Sequence, residues 1–412
     1  MQFPPPSLFD DGEPKWAAEP APSPATARAE AAEKAIHEPL INLKAICKLA
    51  RKGIPDKLRA DYWKTMIGYY PPTRESWPEI RLRKEHEYME LVRSVCSLNE
   101  DNTVTSVARD VHRVDVDIPR TLPTMHFFAC DESVVVDGVP TTFSPTQESL
   151  RRILHTLARV NKGFGYVQGM NELVGHLLFA FAEGKAGNVT LQIEADVFFC
   201  FQAMLSILGD NFCRSLDFDR ETGVMSTLRT YDKLFEYCDP ELHDHITNVA
   251  MVKPEFYAFR WITLLLTQEF LVPEVLRIWD YLFSFGPKMS SALLYCAIAM
   301  LIHQRDELLG LEGMTMILPF LQQFPPIDID EMLEIAQKLL DEYGLDTIRQ
   351  VKADIEGTSE SPLSPKQQQV TSPVSRGAAI TGKIGGFMSA MRAGAQGIFN
   401  KGVSSSAPAS DE

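Results

Sequence analysis

Apolar residues recur at helical spacing through most of this chain. In one such run, Leu150, Leu154 and Leu157 lie three to four positions apart and so share one face of an α-helix. Alternation of apolar and polar residues, which would indicate strands, is nearly absent, and Gly and Pro fall between the helical runs. The pattern predicts an all-α fold, a single large multi-helix domain of about fourteen to sixteen helices over residues 39–352.

Both ends of the chain depart from this pattern. Residues 1–38 are rich in Pro, Ala and Glu, and residues 353–379 are rich in Gly, Ser, Pro and Gln. Segments with so few large apolar side chains cannot bury enough surface to offset the entropy that ordering removes. We therefore expect a disordered head over residues 1–38, a flexible linker over residues 353–379 and a disordered tail over residues 404–412.

Residues 380–403, between the linker and the tail, have an amphipathic pattern. On a helical wheel their large apolar side chains gather within about a third of the circle, opposite small and polar residues that carry almost no charge. Frequent glycines disfavour a helix in water, whereas a lipid interface that accepts the apolar side chains would favour one. The alternatives are a disordered tail and a helix that docks on the main domain. The candidate membrane contacts are Phe387, Met388, Met391, Ile398 and Phe399.

Composition and charge narrow the class of protein. The 412 residues, 45% of them hydrophobic, suffice for a large core, and the net charge of −15 disfavours nucleic acid as a partner. The seven Cys form no Cys-x-x-Cys pair, which is typical of reduced thiols in the cytoplasm. No apolar stretch approaches the roughly 20 residues of a membrane span. We expect a cytoplasmic protein with peripheral association to endomembranes through residues 380–403.

One short stretch offers an arginine at the end of a helical run. Arg120 lies three positions after Asp117, on the same helical face. Pro119 and Pro123 would stop the helix here, which places the guanidinium at an edge. Taken alone, an arginine of this kind is more often a surface or salt-bridged residue.

A second stretch offers a glutamine in a loop that contains glycines. Gln168 follows Gly165 and Tyr166 and precedes a strongly helical run that begins near Asn171. Glycines allow a tight loop that can approach another molecule closely, and the helix would hold its base. Taken alone, Gln168 is more simply a loop amide or a helix cap. An arginine and a glutamine without a nucleophile or a metal cluster suit the completion of another protein's phosphoryl-transfer site.

Five motifs, in this order, resemble those of the TBC domain, the GTPase-activating domain for Rab-type small GTPases. They are Arg59-x-x-x-Trp63, Val114-x-x-Asp117-x-x-Arg120, Tyr166-Val167-Gln168, residues 259–270 and residues 276–280. Val114 stands where the family usually has Ile, which is a mild change. The resemblance covers residues 53–285 and includes the all-α fold.

This resemblance implies that two side chains are donated to the partner. Arg120 would be the arginine finger and Gln168 the glutamine finger, which takes the place of the GTPase's own glutamine in positioning water. Asp117 would hold the guanidinium or brace its loop, and Tyr166 would support the glutamine loop and contact the GTPase. The remaining supporting residues would be Gly169 and Asn171 in that loop, and Arg59 and Trp63 as a structural pair beneath the site.

The resemblance also implies what the chain does and what it binds. It would be a GTPase activator in membrane traffic rather than an enzyme with its own substrate, and its partner would be a Rab-family GTPase in the GTP form. It would have no cofactor of its own, since the GTP and Mg²⁺ belong to the GTPase; no nucleotide-binding Gly-rich loop is present in the sequence. The alternative is a catalytically silent TBC scaffold that binds a Rab or a trafficking complex without accelerating hydrolysis.

Overall fold

The computed structural model describes most of the residues between 24 and 357. The described residues are 24–100, 104–106, 112–129, 135–136, 139–140, 142–161, 163, 165–209, 223–355 and 357. They all belong to one compact unit, Met1–Leu363. The membrane-contact candidates Phe387, Met388, Met391, Ile398 and Phe399 lie outside the described residues, as does most of the predicted linker.

Helices make up nearly all of the regular structure in the described part of the chain. They are α1 (Pro24–His37), α2 (Leu43–Ala50), α3 (Asp56–Met66), α4 (Trp77–Val95), α5 (His112–Asp117), α6 (Pro145–Val160), α7 (Met170–Phe181), α8 (Leu191–Leu208), α9 (Gly223–Cys238), α10 (Pro240–His243), α11 (Ala258–Thr263), α12 (Val272–Phe283), α13 (Met289–His303), α14 (Arg305–Gly310), α15 (Met314–Gln322), α16 (Ile329–Tyr343) and α17 (Thr347–Ile355). The prediction of an all-α fold is confirmed.

Four short strands form two small antiparallel pairs beside the helices. Strand β1 (Ser97–Leu98) pairs with β2 (Val104–Ser106), and β3 (Val135–Val136) pairs with β4 (Val139–Pro140). In the first pair Ser97 lies opposite Ser106, and in the second Val136 lies opposite Val139. Strand β2 contacts α6, and β4 contacts α5.

The first helix corrects the expected disorder of residues 1–38. Helix α1 occupies residues 24–37 of that segment, and its Ala32 and Ile36 are buried. The Tyr62 hydroxyl of α3 donates a hydrogen bond to the Ala32 carbonyl at 2.9 Å. Composition alone was misleading because an Ala-rich segment has high helix propensity and needs only a narrow apolar stripe when it packs on another helix. The prediction of disorder is therefore wrong for residues 24–37, and residues 1–23 lie outside the described residues.

Helix α8 is the apolar centre of the bundle. By length and composition it could cross a membrane, but it packs against α4, α6 and α7 and most of its side chains are buried. Its two buried acids are paired with bases of other helices: Arg152 donates to Glu194 at 3.0 Å, and Lys64 donates to Asp196 at 3.1 Å. Paired charges of this kind fix α8 within a protein core.

A buried carboxylate joins α3 to α12 beneath α7. Asp280 is 0% exposed and accepts hydrogen bonds from Arg59 Nε at 3.0 Å, Trp63 Nε1 at 2.8 Å and the Ile54 backbone nitrogen at 3.0 Å. The Trp63 ring also packs against Phe181, at the end of α7, with ring centroids 6.3 Å apart. Arg59 and Trp63 thus form a structural pair under the helix that follows the predicted glutamine loop.

We predict that Asp280→Ala destabilises the fold strongly. The variant leaves the Arg59 guanidinium buried with only the exposed Asp56 as a counter-charge, and loss of a buried partner typically costs about 3–5 kcal/mol of unfolding free energy. The matched control is Asp330→Ala, because Asp330 also binds an arginine, Arg277, at 2.8 Å but is 73% exposed. An exposed pair contributes under about 1 kcal/mol. Urea denaturation of both variants measures the difference, and equal losses would contradict the assigned role of Asp280.

Candidate functional site

The arginine segment is a single 3₁₀ turn at the end of α5. The turn covers Ile118–Arg120 and ends at Thr121, whose backbone is extended. Val114 and Ile118 are fully buried and anchor the segment to the core. The Arg120 side chain is exposed, and in the described part of the chain its guanidinium makes no hydrogen bond or ion pair. The cation therefore lies at an edge of the domain, available to another molecule.

The glutamine segment is the loop that leads into α7. Gln168 is exposed, and no described residue hydrogen-bonds its side-chain amide. Gly169 follows with φ +102°, in the left-handed region that other residues rarely adopt. A Cβ atom at this position would lie 2.5 Å from Leu264 Cδ2. The left-handed backbone of Gly169 therefore favours glycine, and a larger residue would also require the Leu264 side chain to move.

Asp117 braces the glutamine loop. Its Oδ2 accepts a hydrogen bond from the Tyr166 hydroxyl at 2.7 Å, and both residues are buried. The roles expected for Asp117 were to hold the Arg120 guanidinium or to brace the loop of Arg120; its carboxylate instead bonds Tyr166 of the glutamine loop and forms no ion pair with Arg120. Burial raises the pKa of Asp117, although the Tyr166 hydrogen bond and the charges of Arg120 and Arg113 act against that shift. Tyr166, 7% exposed, presents little surface to a partner.

Asn171 links the two segments through its side-chain amide. Its Oδ1 accepts a hydrogen bond from the Gly169 backbone nitrogen at 3.1 Å and lies 3.2 Å from the Tyr166 hydroxyl. Its Nδ2 donates to Thr121 Oγ1 at 2.9 Å, and the Thr121 hydroxyl donates to the Asp117 carbonyl at 3.0 Å. Because one amide group spans both bonds, Thr121 Oγ1 and the Gly169 nitrogen lie within about 8 Å of each other. Arg120 and Gln168 therefore emerge from one hydrogen-bonded base.

Three residues of this base were not among the candidates from the sequence. Thr121 contributes the hydroxyl that Asn171 binds, and Gly175 of α7 lets Thr121 approach, since a Cβ there would lie 2.7 Å from Thr121 Cγ2. Leu264 packs against Gly169. Only Thr121 had a signal in the sequence, its position directly after Arg120. The other two contacts join residues that are distant along the chain.

The first turn of α7 carries a half-buried carboxyl close to Asp117. Burial, with the negative charge of Asp117 as a second cause, raises the pKa of Glu172 to about 7. No described residue hydrogen-bonds its side chain. Two carboxyl groups thus lie near the arginine and glutamine segments, and the pKa of one of them is close to neutral pH.

Comparison with known proteins identifies similar chains. The sequence profile of the Rab-GTPase-TBC domain matches residues 56–309, a range that includes Arg120 and Gln168. TBC1 domain family member 13 from Mus musculus and from Homo sapiens is 30% identical in an alignment of 388 positions that covers 74% of this chain and 96% of the relative. GTPase-activating protein GYP1 from Saccharomyces cerevisiae is 27% identical in an alignment of 259 positions that covers 58% of this chain and 37% of the relative.

Solved structures agree in fold. The crystal structure of the Ypt/Rab-GAP domain of Gyp1p has a TM-score of 0.65 and 26% sequence identity, and the match covers 77% of this chain and 98% of that one. The Chlamydomonas flagellar RabGAP TBC domain, 20% identical, has a TM-score of 0.50 over 72% of this chain and 84% of that one. The second likeness shows the fold alone, and both agree with the predicted helical architecture.

We predict that Glu172→Gln stabilises the protein in a pH-dependent way. The folded-state pKa of about 7 lies above the ordinary value of 4.5, so the folded chain holds this proton more tightly than the unfolded chain does. The associated stability is present at low pH and is lost as the pH rises towards 7, whereas Gln stays neutral throughout. The gain in unfolding free energy should be small at pH 4.5 and reach up to about 3 kcal/mol at pH 8.

Urea denaturation at both pH values measures this difference. Glu334→Gln on α16 is the matched control, because Glu334 is an exposed helical glutamate. The same gain at pH 4.5 and pH 8 for Glu172→Gln would show that ionisation of this carboxyl does not oppose folding.

Proposed function

Because the chain belongs to the Rab-GTPase-TBC domain family, we propose that it accelerates GTP hydrolysis by a Rab-type GTPase with two donated side chains, Arg120 and Gln168. The observation that carries this proposal is the placement of the two side chains. Both are exposed and make no hydrogen bond or ion pair to described residues. The two segments that carry them are joined by one hydrogen-bonded network. The partner is the GTPase in its GTP form, and the GTP and Mg²⁺ belong to that partner.

Arg120 supplies the charge that the GTPase lacks. In phosphoryl transfer negative charge is spread over the phosphoryl oxygens, and a guanidinium from a partner that stabilises this charge accelerates hydrolysis about 10³- to 10⁵-fold. Arginine fits this role because it is always charged and presents a planar fork of donors. With no ion pair to break among the described residues, Arg120 can enter the nucleotide site without losing an interaction of its own.

Gln168 positions the attacking water. A side-chain amide can donate to a phosphate oxygen and accept from water at the same time. This requires a rigid base, since a displacement of about 1 Å forfeits much of the rate. Gly169, packed on Leu264 and bonded to Asn171, supports such a base. The amide thus performs the second task of a GTPase activator from the loop next to the arginine turn.

We predict that each finger is essential for acceleration. Single-turnover GTP hydrolysis by a panel of Rab GTPases should be accelerated by the full chain, and Arg120→Ala should reduce that acceleration at least about 10³-fold. Gln168→Ala should reduce it about 10²-fold or more, by analogy with the loss of one oriented amide donor. Arg120→Lys should not restore the rate, because an ammonium lacks the planar fork.

The control for these variants is Arg349→Ala, which removes an arginine that is 80% exposed on α17, outside the matched residues 56–309. It should leave acceleration unchanged. Rab binding without acceleration by the unaltered chain would favour the catalytically silent scaffold instead. Acceleration that survives Arg120→Ala would refute the two-finger mechanism.

We further propose that residues 380–403 place this activator on endomembranes, from the cytoplasmic side, in the service of vesicle traffic. Support comes from the sequence pattern: large apolar residues on one side, with Lys383, Arg392 and Lys401 as the charged residues of the segment. Basic side chains at the borders of such a face can reach lipid headgroups while the apolar side enters the interface.

Flotation with small liposomes tests this placement. The full chain should float, and a truncation that begins at Gly377 should lose most of the bound fraction, because the apolar side chains are gone. Phe387→Ser combined with Phe399→Ser should have a similar effect in the full chain. Ser389→Ala on the opposite face is the control and should float like the unaltered chain. Equal flotation of full and truncated chains would end the idea.

A further inference from the structure

The arginine and glutamine segments share one buried amide although they are far apart in sequence. Asn171 follows the glutamine loop, and Thr121, its hydrogen-bond partner, lies 50 residues earlier and directly after Arg120. We propose that the Thr121–Asn171 bond is a positioning link that couples the two fingers, so that displacement of one segment displaces the other. This inference rests on the proposed function for its kinetic consequence, and its structural part stands independently.

The side-chain amide of Asn171 is hydrogen-bonded to both segments at once and cannot move with one of them alone. The residue is 4% exposed, its Oδ1 accepts from the Gly169 nitrogen, and its Nδ2 donates to Thr121. An amide group is planar, so a rotation that follows Thr121 also moves Oδ1 away from Gly169. Loss of the Thr121 bond leaves a buried donor unpaired, and the amide relieves this by turning. The change is therefore transmitted to the residue beside Gln168.

The exposed end of the arginine turn is held by this link, whereas Ile118 anchors the start of the turn in the core. The turn is one residue triplet long, and its own closing bond joins the Thr121 nitrogen to the Ile118 carbonyl at 3.1 Å. The Arg120 guanidinium makes no bond to any described residue. Thr121 thus holds the arginine turn against α7, where Gly175 allows the close approach.

A second hydrogen bond also joins the two segments, so the fold does not depend on the Thr121–Asn171 bond alone. Tyr166 and Asp117 join the same two segments at 2.7 Å. With that bond intact, removal of the Thr121 hydroxyl should loosen the two segments without unfolding them. The rate of a reaction that depends on positioning should fall after a loss of alignment of this size.

Hydrogen exchange of the Gly169 amide tests the coupling without any GTPase. Thr121→Val removes the hydroxyl but keeps the shape, and Thr121→Ser keeps the hydroxyl. Thr121→Val should speed exchange of the Gly169 amide about tenfold, because its acceptor on Asn171 turns away. Thr121→Ser should leave this rate within about twofold of the unaltered chain. The Gly344 amide, bonded to the Leu340 carbonyl at 2.8 Å after α16, is the internal reference and should not change.

The exchange rates of the Gly169 and Gly344 amides together decide whether the link exists. Unchanged Gly169 exchange in Thr121→Val would overturn the link. Equal acceleration at Gly169 and Gly344 would also overturn it, because it would reveal general destabilisation. Since this measurement needs no partner, failure of the chain to activate any Rab would refute the proposed function and leave the exchange rates to judge the link.

A double-mutant cycle tests the kinetic consequence. Thr121→Val should lower the maximal single-turnover rate about tenfold, with little change in the concentration needed for half-maximal acceleration. Added to Gln168→Ala, the same substitution should cost clearly less than about tenfold, because the Gln168 side chain is already absent and only the misalignment of Arg120 can still lower the rate. A full tenfold loss in the Gln168→Ala background would show that Thr121 acts on Arg120 alone and would overturn the coupling. A rate loss in Thr121→Ser as large as in Thr121→Val would overturn it too.

Discussion

The side-chain amide of Asn171 can stay buried only if both of its ends are hydrogen-bonded. An unpaired buried polar group costs about 1–3 kcal/mol, so the fold must bring a donor to Oδ1 and an acceptor to Nδ2. Gly169 supplies the first and Thr121 the second, from opposite sides of the site. The two hydrogen bonds of the Asn171 amide thus fix the distance between two loops that are far apart in the sequence. The relative placement of the arginine and glutamine segments is a consequence of that constraint.

Buried ion pairs fix the helices beneath α7, the helix that carries Asn171. Apolar helices such as α8 and α13 could slide along one another with little change in buried area. Three buried acids in this region instead have a basic partner on another helix, and removal of one partner would leave an isolated charge in the core. We infer that these pairs set the register of the helices on which α7 rests. The pairs are Asp280 with Arg59, Glu194 with Arg152, and Asp196 with Lys64.

The sequence predicted what depends on neighbouring residues and missed what depends on distant ones. Helical spacing indicated the all-α fold, and Pro119 indicated the edge position of Arg120, because both effects act along the chain. Helix α1 was missed since its few apolar side chains gain their burial from α3. Gly175 and Leu264 could not be predicted, because each matters only through the residue that lies against it in space. Five ordered motifs indicated the Rab-GTPase-TBC domain family, which periodicity alone could not indicate.

The lack of an ion pair at Arg120 follows from the contacts of Asp117, the acid three positions before it. A carboxylate three positions before an arginine on a helix normally attracts it. Here Asp117 is buried and its carboxylate accepts the hydrogen bond from the Tyr166 hydroxyl. Glu172, close by with a pKa of about 7, adds less than a full negative charge at neutral pH. In a chain of net charge −15, this arrangement leaves Arg120 solvated and without an acidic partner among the described residues. A guanidinium that has no acid of its own to leave can enter a foreign phosphate site at the smallest energetic cost.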